Sequence, residues 1–245
     1  MFKRTRKNNE LRELQIETGV NKYAEGSCRI KLGNSELVVT ASVENKVPTH
    51  LKNANKGWVT AEYSMLPRST QIRTIREGRR KNLDGRTQEI QRLIGRSLRA
   101  ITKLENLGQR TVWIDCDVLQ ADGGTRVAAI IGGFIVFYES ILNLLSQKQI
   151  KENPIIESLG AISVGIVYNN FLLDLEYQED LIADVDMNIV ATKSNKIIEI
   201  QGTAEGDPFT KQDLLELIDL GLKGIQKVIE IEENVINDLK QKYNL

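Results

Sequence analysis

Three groups of residues in this chain have the types and spacing to do chemistry. The first is Asp122-Gly123-Gly124-Thr125-Arg126. Glycines ahead of a helix let backbone N–H groups turn toward an anion. The helix N-terminus adds partial positive charge. Thr125 offers a hydroxyl, and the fork of Arg126 matches phosphate oxygens. A tight strand-to-helix turn with Thr125 as a plain cap would use the same residues. The second group is basic: Arg68, Arg73, Arg76, Arg79, Arg80 and Arg86 fall within nineteen residues, followed by Arg92, Arg96 and Arg99. Spaced along a loop and one helix face, they suit a chain of phosphates. Solubility and salt bridges to Glu77 and Glu89 are the plainer account, but so many arginines exceed what solubility needs. Tyr63 is the nearest aromatic, so backbone contacts are expected rather than base stacking. Such binding has little sequence preference and strong salt dependence. The third group is Asp180, Asp184 and Asp186. Hard oxygen ligands at this spacing suit Mg²⁺ or Mn²⁺. The polar outer face of an edge strand would look the same.

These residues need elements to hold them. Ser27–Leu32, Ser35–Val43 and Gly57–Tyr63 are short, β-branched and separated by turns such as Gly33-Asn34, and read as strands. Ser64 to Arg86 is polar and without period, a long irregular connection of the kind that is often functional. Ile90, Leu93, Ile94, Leu98 and Ile101 recur at helical spacing, with Arg92, Arg96, Arg99 and Lys103 as a second stripe. Arg110–Leu119 alternates like a strand, and Thr125–Leu145 is a long apolar stretch of good helix formers. A second block of strands starts near Ile162. Leu173, Leu175 and Tyr177 alternate with Asp174 and Glu176. From Ala183 to Val190, Asp184, Asp186 and Asn188 share one face while Val185, Met187 and Ile189 share the other. Ile197–Gly202 is another strand. Thr210 with Asp213 resembles a capping box, opening a helix that carries Leu214, Leu215, Ile218, Leu222, Ile225 and Ile229. The order predicts an α+β chain of two similar halves, about 10–145 and 155–245, forming a single domain over 1–245.

Composition narrows the function. Apolar residues are 41% and charged residues 27%, ordinary for a globular protein. No apolar run is expected to reach the roughly 20 residues of a membrane span, and the basic N-terminus leads into no hydrophobic stretch of a secretory signal. Cys28 and Cys116, far apart in sequence, support neither a disulfide scaffold nor a zinc site and fit a reducing cytoplasm. The net charge of zero hides a separation: Arg68–Arg99 holds ten basic residues against three acidic ones, and Phe171–Leu245 carries a surplus of nine negative charges. The first region could bind a polyanion and the second cations. The lone His50 reads as a surface residue, so no Ser/His/Asp or Cys/His constellation can form around it.

Taken together, several segments resemble the ribonuclease PH family. They include Tyr23-Ala24-Glu25-Gly26-Ser27, Gly57-Trp58-Val59-Thr60-Ala61-Glu62-Tyr63 and Met65-Leu66-Pro67-Arg68. Gly85-Arg86-Thr87, Glu89 to Arg96, Asp115-Cys116-Asp117 and Gln120 to Arg126 follow. Glu179-Asp180, Val185-Asp186-Met187-Asn188 and Gln201 to Gly206 complete the series. They run in the family's order from about residue 10 to residue 230. The resemblance implies a ribonuclease PH-like α+β fold of two related βαβ-containing halves, with mixed sheets packed against helices. It implies a homohexamer built as a trimer of dimers. It also implies a phosphate-dependent 3′-to-5′ exoribonuclease, a tRNA nucleotidyltransferase, that trims tRNA precursors and other structured RNA in the cytoplasm. Inorganic phosphate is the co-substrate, and nucleoside 5′-diphosphates leave reversibly.

By that resemblance Arg86, Gly124, Thr125 and Arg126 match the phosphate site. Asp180 and Asp186 match the catalytic, metal-linked carboxylates for Mg²⁺ or Mn²⁺, with Asp184 a further possibility where relatives often carry Glu. Arg68, Arg73 and Arg76 match arginines implicated in RNA contact or ring assembly, and Arg79, Arg80, Arg92, Arg96 and Arg99 extend the RNA-binding set. Asn188 stands where polynucleotide phosphorylase has a lysine. Leu11-Arg12-Glu13 departs from the expected Leu-Arg-Pro. The rivals are an inactive ring subunit that only binds RNA, a hydrolytic metal-only nuclease, and a structural role in ribosome maturation.

Overall fold

The structure is a computed structural model, and it describes residues 4–76 and 84–245. Five strands form the first sheet: β1 (Leu14–Thr18), β2 (Gly26–Leu32), β3 (Ser35–Glu44), β4 (Trp58–Met65) and β5 (Thr111–Gln120), in the order β1-β2-β3-β5-β4. β4 runs parallel to β5 and the other pairs are antiparallel. A parallel pair needs a crossover, supplied here by α1 (Gly85–Ala100) and the single turn α2 (Leu104–Leu107). The alternation of β2 and β3 is the cause of their placement. Cys28, Ile30, Leu37, Val39 and Ala41 point inward and are fully buried.

The second sheet has the order β7-β6-β8-β9, from β6 (Leu159–Val167), β7 (Asn170–Leu173), β8 (Val185–Thr192) and β9 (Ile197–Ala204). All of its pairs are antiparallel, so only the first sheet is mixed. β7 and β8 both oppose β6 and are therefore parallel to each other. The one-turn helix α4 (Tyr177–Asp180) joins them, a split βαβ unit. The alternation over Leu173–Tyr177 does not form a strand. Asp174 takes φ +56°, in the left-handed region, and turns the chain out of the sheet toward α4.

Two helices join the halves. α3 (Thr125–Ser146) packs on β2, β3 and β5, while α5 (Lys211–Tyr243) packs on β6, β7 and β8, and the two helices meet. One contiguous apolar core spans both sheets. The expectation that no apolar run could span a membrane needs correction. α3 is long and apolar enough by length and composition, but 94% of that stretch is buried in the core. A helix apolar on every side is what a core position requires. α1 is amphipathic in contrast: Ile90, Leu93, Ile94 and Leu98 are buried, and Arg92 and Arg96 are exposed. Burial of each such side chain contributes about 1.5–3 kcal/mol. The capping box of Thr210 and Asp213 opens α5 as expected, with reciprocal bonds of 2.8 and 3.2 Å. Cys28 and Cys116 are both buried free thiols.

Candidate active site

The turn between β5 and α3 has a backbone that its residues dictate. Gly123 and Gly124 adopt φ +74° and +71°, where a side chain is strained. A Cβ on Gly123 would stand 2.7 Å from the Tyr177 nitrogen, and one on Gly124 would stand 2.7 Å from Arg12 Nη2. The turn is tied to β3. The Asp122 N–H donates to Ser35 Oγ at 2.8 Å, Ser35 Oγ donates to the Gly123 carbonyl at 2.6 Å, and Asn34 Nδ2 donates to Asp122 Oδ2 at 3.0 Å. Among the described residues no side chain caps α3 at Gly124, so the first N–H groups of this 22-residue helix are available to an outside acceptor. Thr125 is buried, and its Oγ1 lies 2.9 Å from Tyr63 Oη.

This turn opens onto a cavity of about 560 Å³. Arg86, Gly124, Thr125, Arg126, Asp180, Asp186 and Asn188 all line it, although they come from α1, the β5–α3 turn, α4 and β8. Arg126 is held from two sides. Its Nη1 donates to Gln201 Oε1 at 2.9 Å on β9, and its Nη2 lies 3.5 Å from Glu89 Oε2 on α1. Gln201 Nε2 in turn donates to Glu89 Oε1 at 2.7 Å and Glu199 Oε1 at 2.9 Å.

The carboxylates feel both the burial and the arginines. Burial and then the charge of Asp180 push Asp186 up to about 6, opposed by Arg126 and Arg86. Asp180 keeps much of its surface in solvent, yet local desolvation raises it too, again opposed by Arg86 and Arg126. A site that mixes guanidinium and crowded carboxylates can bind an anion and a cation together. Two hard carboxylates fit Mg²⁺, which takes one or two of them and completes its shell with water and phosphate oxygens. β8 is an interior strand between β6 and β9, so Asp186 and Asn188 do not belong to an edge. Asp184 lies outside the cavity lining, just before β8, where its N–H donates to the Ile166 carbonyl at 2.8 Å.

The expected RNA-binding arginines divide into two kinds. Arg68, Arg73 and Arg76 are exposed on the loop after β4, the same loop whose Thr70, Gln71, Ile72 and Thr74 line the cavity. Arg92 is exposed on α1. Arg96 instead grips Glu199 through Nε at 2.9 Å and Nη2 at 2.5 Å. Arg99 donates to the Val59 carbonyl at 2.7 Å and stacks 4.2 Å above the Trp58 ring. Arg79 and Arg80 lie outside the described residues. Reading by residue type overlooked Tyr177, an aromatic on the cavity wall, and Arg12, buried beneath the turn. Tyr177 entered only as part of an alternation read as a strand, and Arg12 only within the local run Leu11-Arg12-Glu13; neither pattern carries a signal for a place at or beneath the cavity.

Residues 10–137 match the 3′ exoribonuclease family, domain 1, and residues 158–224 match domain 2 of the same family. The ribonuclease PH of Moorella thermoacetica is 52% identical over 233 residues, covering 95% of this chain and 93% of that protein. The ribonuclease PH of Bacillus subtilis is 50% identical over 234 residues, covering 95% and 96%. Among solved structures, rice Rrp46 aligns with TM-score 0.73 at 16% identity, covering 95% of this chain and 98% of that one. The Archaeoglobus fulgidus exosome, solved with RNA bound to its active site, aligns with TM-score 0.75 at 20% identity, covering 92% and 90%. These last two likenesses concern the fold alone. Identity at this level across nearly the full length, with both halves of the family matched in order, places the chain in the ribonuclease PH family of phosphate-dependent 3′-to-5′ exoribonucleases.

Proposed function

We propose that the cavity lined by Arg86, Arg126, Asp180 and Asp186 is where inorganic phosphate meets the 3′ end of an RNA. The observation that carries this reading is the convergence of two guanidinium groups, an uncapped helix start and two crowded carboxylates in one cavity. Phosphoryl transfer needs positioned anions and charge neutralisation, and little covalent help. Arg86, Arg126, the Thr125 hydroxyl and the N–H groups at Gly124–Arg126 bind and orient the attacking phosphate. One of its oxygens bonds to the terminal phosphorus and the bond from phosphorus to the preceding 3′-oxygen breaks. A nucleoside 5′-diphosphate leaves, and the shortened RNA retains a 3′-hydroxyl that takes up the proton of hydrogen phosphate. Asp180 and Asp186 are the residues to hold Mg²⁺ or Mn²⁺, which when bound supplies charge neutralisation at the scissile phosphate. Arg68, Arg73, Arg76 and Arg92 guide the RNA backbone to the cavity, and Tyr177 gives the terminal base an aromatic wall.

In the cell this chain trims tRNA precursors and other structured RNA in the cytoplasm, as a homohexamer formed by three dimers. The test is incubation with a 3′-extended tRNA, with and without phosphate, and identification of the nucleotide released. Nucleoside diphosphate released only with phosphate supports the reading. Monophosphate without a phosphate requirement would show hydrolysis instead, and no release would show a non-catalytic subunit.

A further inference from the structure

Arg12 is 5% exposed and does not line the cavity, yet it ties together three segments around it. Its backbone N–H and Nε donate to Asp174 Oδ2 at 2.8 and 2.9 Å, and its Nη2 donates to Asp174 Oδ1 at 2.6 Å. The same guanidinium reaches outward to two carbonyls. Nη1 donates to that of Asp122 at 2.7 Å, and Nη2 to that of Leu175 at 3.1 Å. One side chain therefore joins the N-terminal segment, the glycine turn before α3 and the stretch that leads into α4. Its partner Asp174 is fully buried and held at positive φ. A non-glycine residue keeps such a conformation only where its surroundings determine it. Here the Asp174 N–H donates to the Ser163 carbonyl at 2.7 Å, and the Leu175 N–H donates to Ser163 Oγ at 3.0 Å. The turn rests directly on this assembly. The Tyr177 N–H donates to the Asp122 carbonyl at 3.2 Å, and added Cβ atoms on Gly123 or Gly124 would collide with Tyr177 and Arg12.

We infer that Arg12 is a positioning residue: through Asp174 and the carbonyls of Asp122 and Leu175, it sets the spacing between the anion-binding turn and the α4 arm that carries Asp180. The inference rests on the reading of the cavity as the site where phosphate meets the RNA end. That reaction needs the attacking and scissile phosphates in contact and in line, and a misplacement of about 1 Å costs on the order of 10²-fold in rate. A merely stabilising ion pair would be replaceable. Exchanging a buried pair for apolar residues of similar volume is often neutral for stability, but no apolar side chain restores the bonds to Asp122 and Leu175. Lysine keeps the charge and loses the planar fork.

The test uses the full chain with Arg12→Lys and the double variant Arg12→Met/Asp174→Leu. Each is assayed on 3′-extended tRNA over a phosphate titration, alongside RNA affinity without phosphate and thermal unfolding. In both variants the KM for phosphate should rise about tenfold or more and kcat should fall. RNA affinity should hold, and the apolar pair should fold yet stay impaired. An unchanged phosphate KM in a folded variant, or full recovery of turnover in the apolar pair, overturns the inference. If neither folds, Asp174→Asn, which retains one acceptor oxygen, must still raise the phosphate KM, and an unmoved value overturns it equally. A wild type that needs no phosphate would sink the reading of the cavity and the inference with it. A phosphate-dependent wild type with unmoved variants sinks the inference alone.

Discussion

Replacing Arg126 by alanine separates the demands of folding from those of chemistry. In the folded chain the Arg126 fork is shared between Gln201, at 2.9 Å, and Glu89, at 3.5 Å. The Glu89 side chain is still 33% exposed, so this ion pair contributes no more than about 1 kcal/mol to stability. For a chain of this size that loss moves the melting temperature by roughly 2–4 °C. The loss to the reaction is larger. Removing one preorganised donor from developing negative charge costs about 2.7–4 kcal/mol, and each ~1.4 kcal/mol is tenfold in rate. Phosphorolysis should therefore fall by ~10²–10³-fold in kcat/KM. Glu89 and Gln201 stay behind in Arg126→Ala, and the freed carboxylate of Glu89 repels an incoming phosphate, which pushes in the same direction. The assay is release of nucleoside diphosphate from a 3′-extended tRNA over a phosphate titration, with calorimetry on the same sample. Activity close to wild type would refute the assignment of Arg126 to phosphate. A collapse of the melting temperature in step with activity would show that the residue serves folding instead.

Four other outcomes are expected. Asp186→Asn should abolish divalent-dependent turnover yet raise the melting temperature at pH 7 in the absence of metal. The wild-type carboxyl is pushed up to about 6, so its ionisation costs the fold more as pH rises from the ordinary aspartate range to that value, and the gap between variants should close in acid; a destabilised variant at pH 7 would contradict this. Arg73→Ala should flatten the salt dependence of RNA binding, by about 0.7 in the log–log slope if a single strand is contacted, whereas Arg99→Ala should lower stability and leave the slope alone; equal slopes in the two variants would erase the distinction. Tyr177→Ala should weaken RNA substrates without moving the phosphate KM, with Tyr177→Phe near wild type, and a matching loss in both variants would argue against an aromatic wall. Glu232 on α5 is fully buried with neither carboxyl oxygen hydrogen-bonded among the described residues, and burial raises it well above the usual range. The protonated form is favoured in the fold, so stability should decline as pH rises above the unfolded glutamate range, by up to about 1.4 kcal/mol per pH unit. Melting curves of Glu232→Gln should lack that decline, and parallel pH profiles would rule it out.

Local pattern alone accounts for much of this protein. Spacing of Ile90, Leu93, Ile94 and Leu98 determined the buried face of α1, and the Thr210–Asp213 pair determined where α5 begins. Alternation along Ala183–Val190 put Asp184, Asp186 and Asn188 on one face and Val185, Met187 and Ile189 on the other; the cavity takes Asp186 and Asn188 and the core takes the apolar three, while Asp184 precedes β8 and stays outside the lining. These features are legible because burial repeats with the period of the backbone. The ordered motifs likewise announced the family.

Tertiary structure decided the rest, since no period connects residues so far apart in sequence. Arg86 and Asp186 meet in one cavity only because α3 and α5 dock the two sheets against each other. Whether β8 was an edge or an interior strand depended on β9 folding beside it. Arg96 and Arg99 shared a stripe with Arg92 in the sequence, but Glu199 engages the still exposed Arg96 and Trp58 the half-buried Arg99. The alternation at Leu173–Tyr177 pointed to a strand, but a buried partner, Arg12, stabilises Asp174 in a left-handed turn instead. In each case a long-range contact outweighed a local preference, and that contact exists only once the chain has closed on itself.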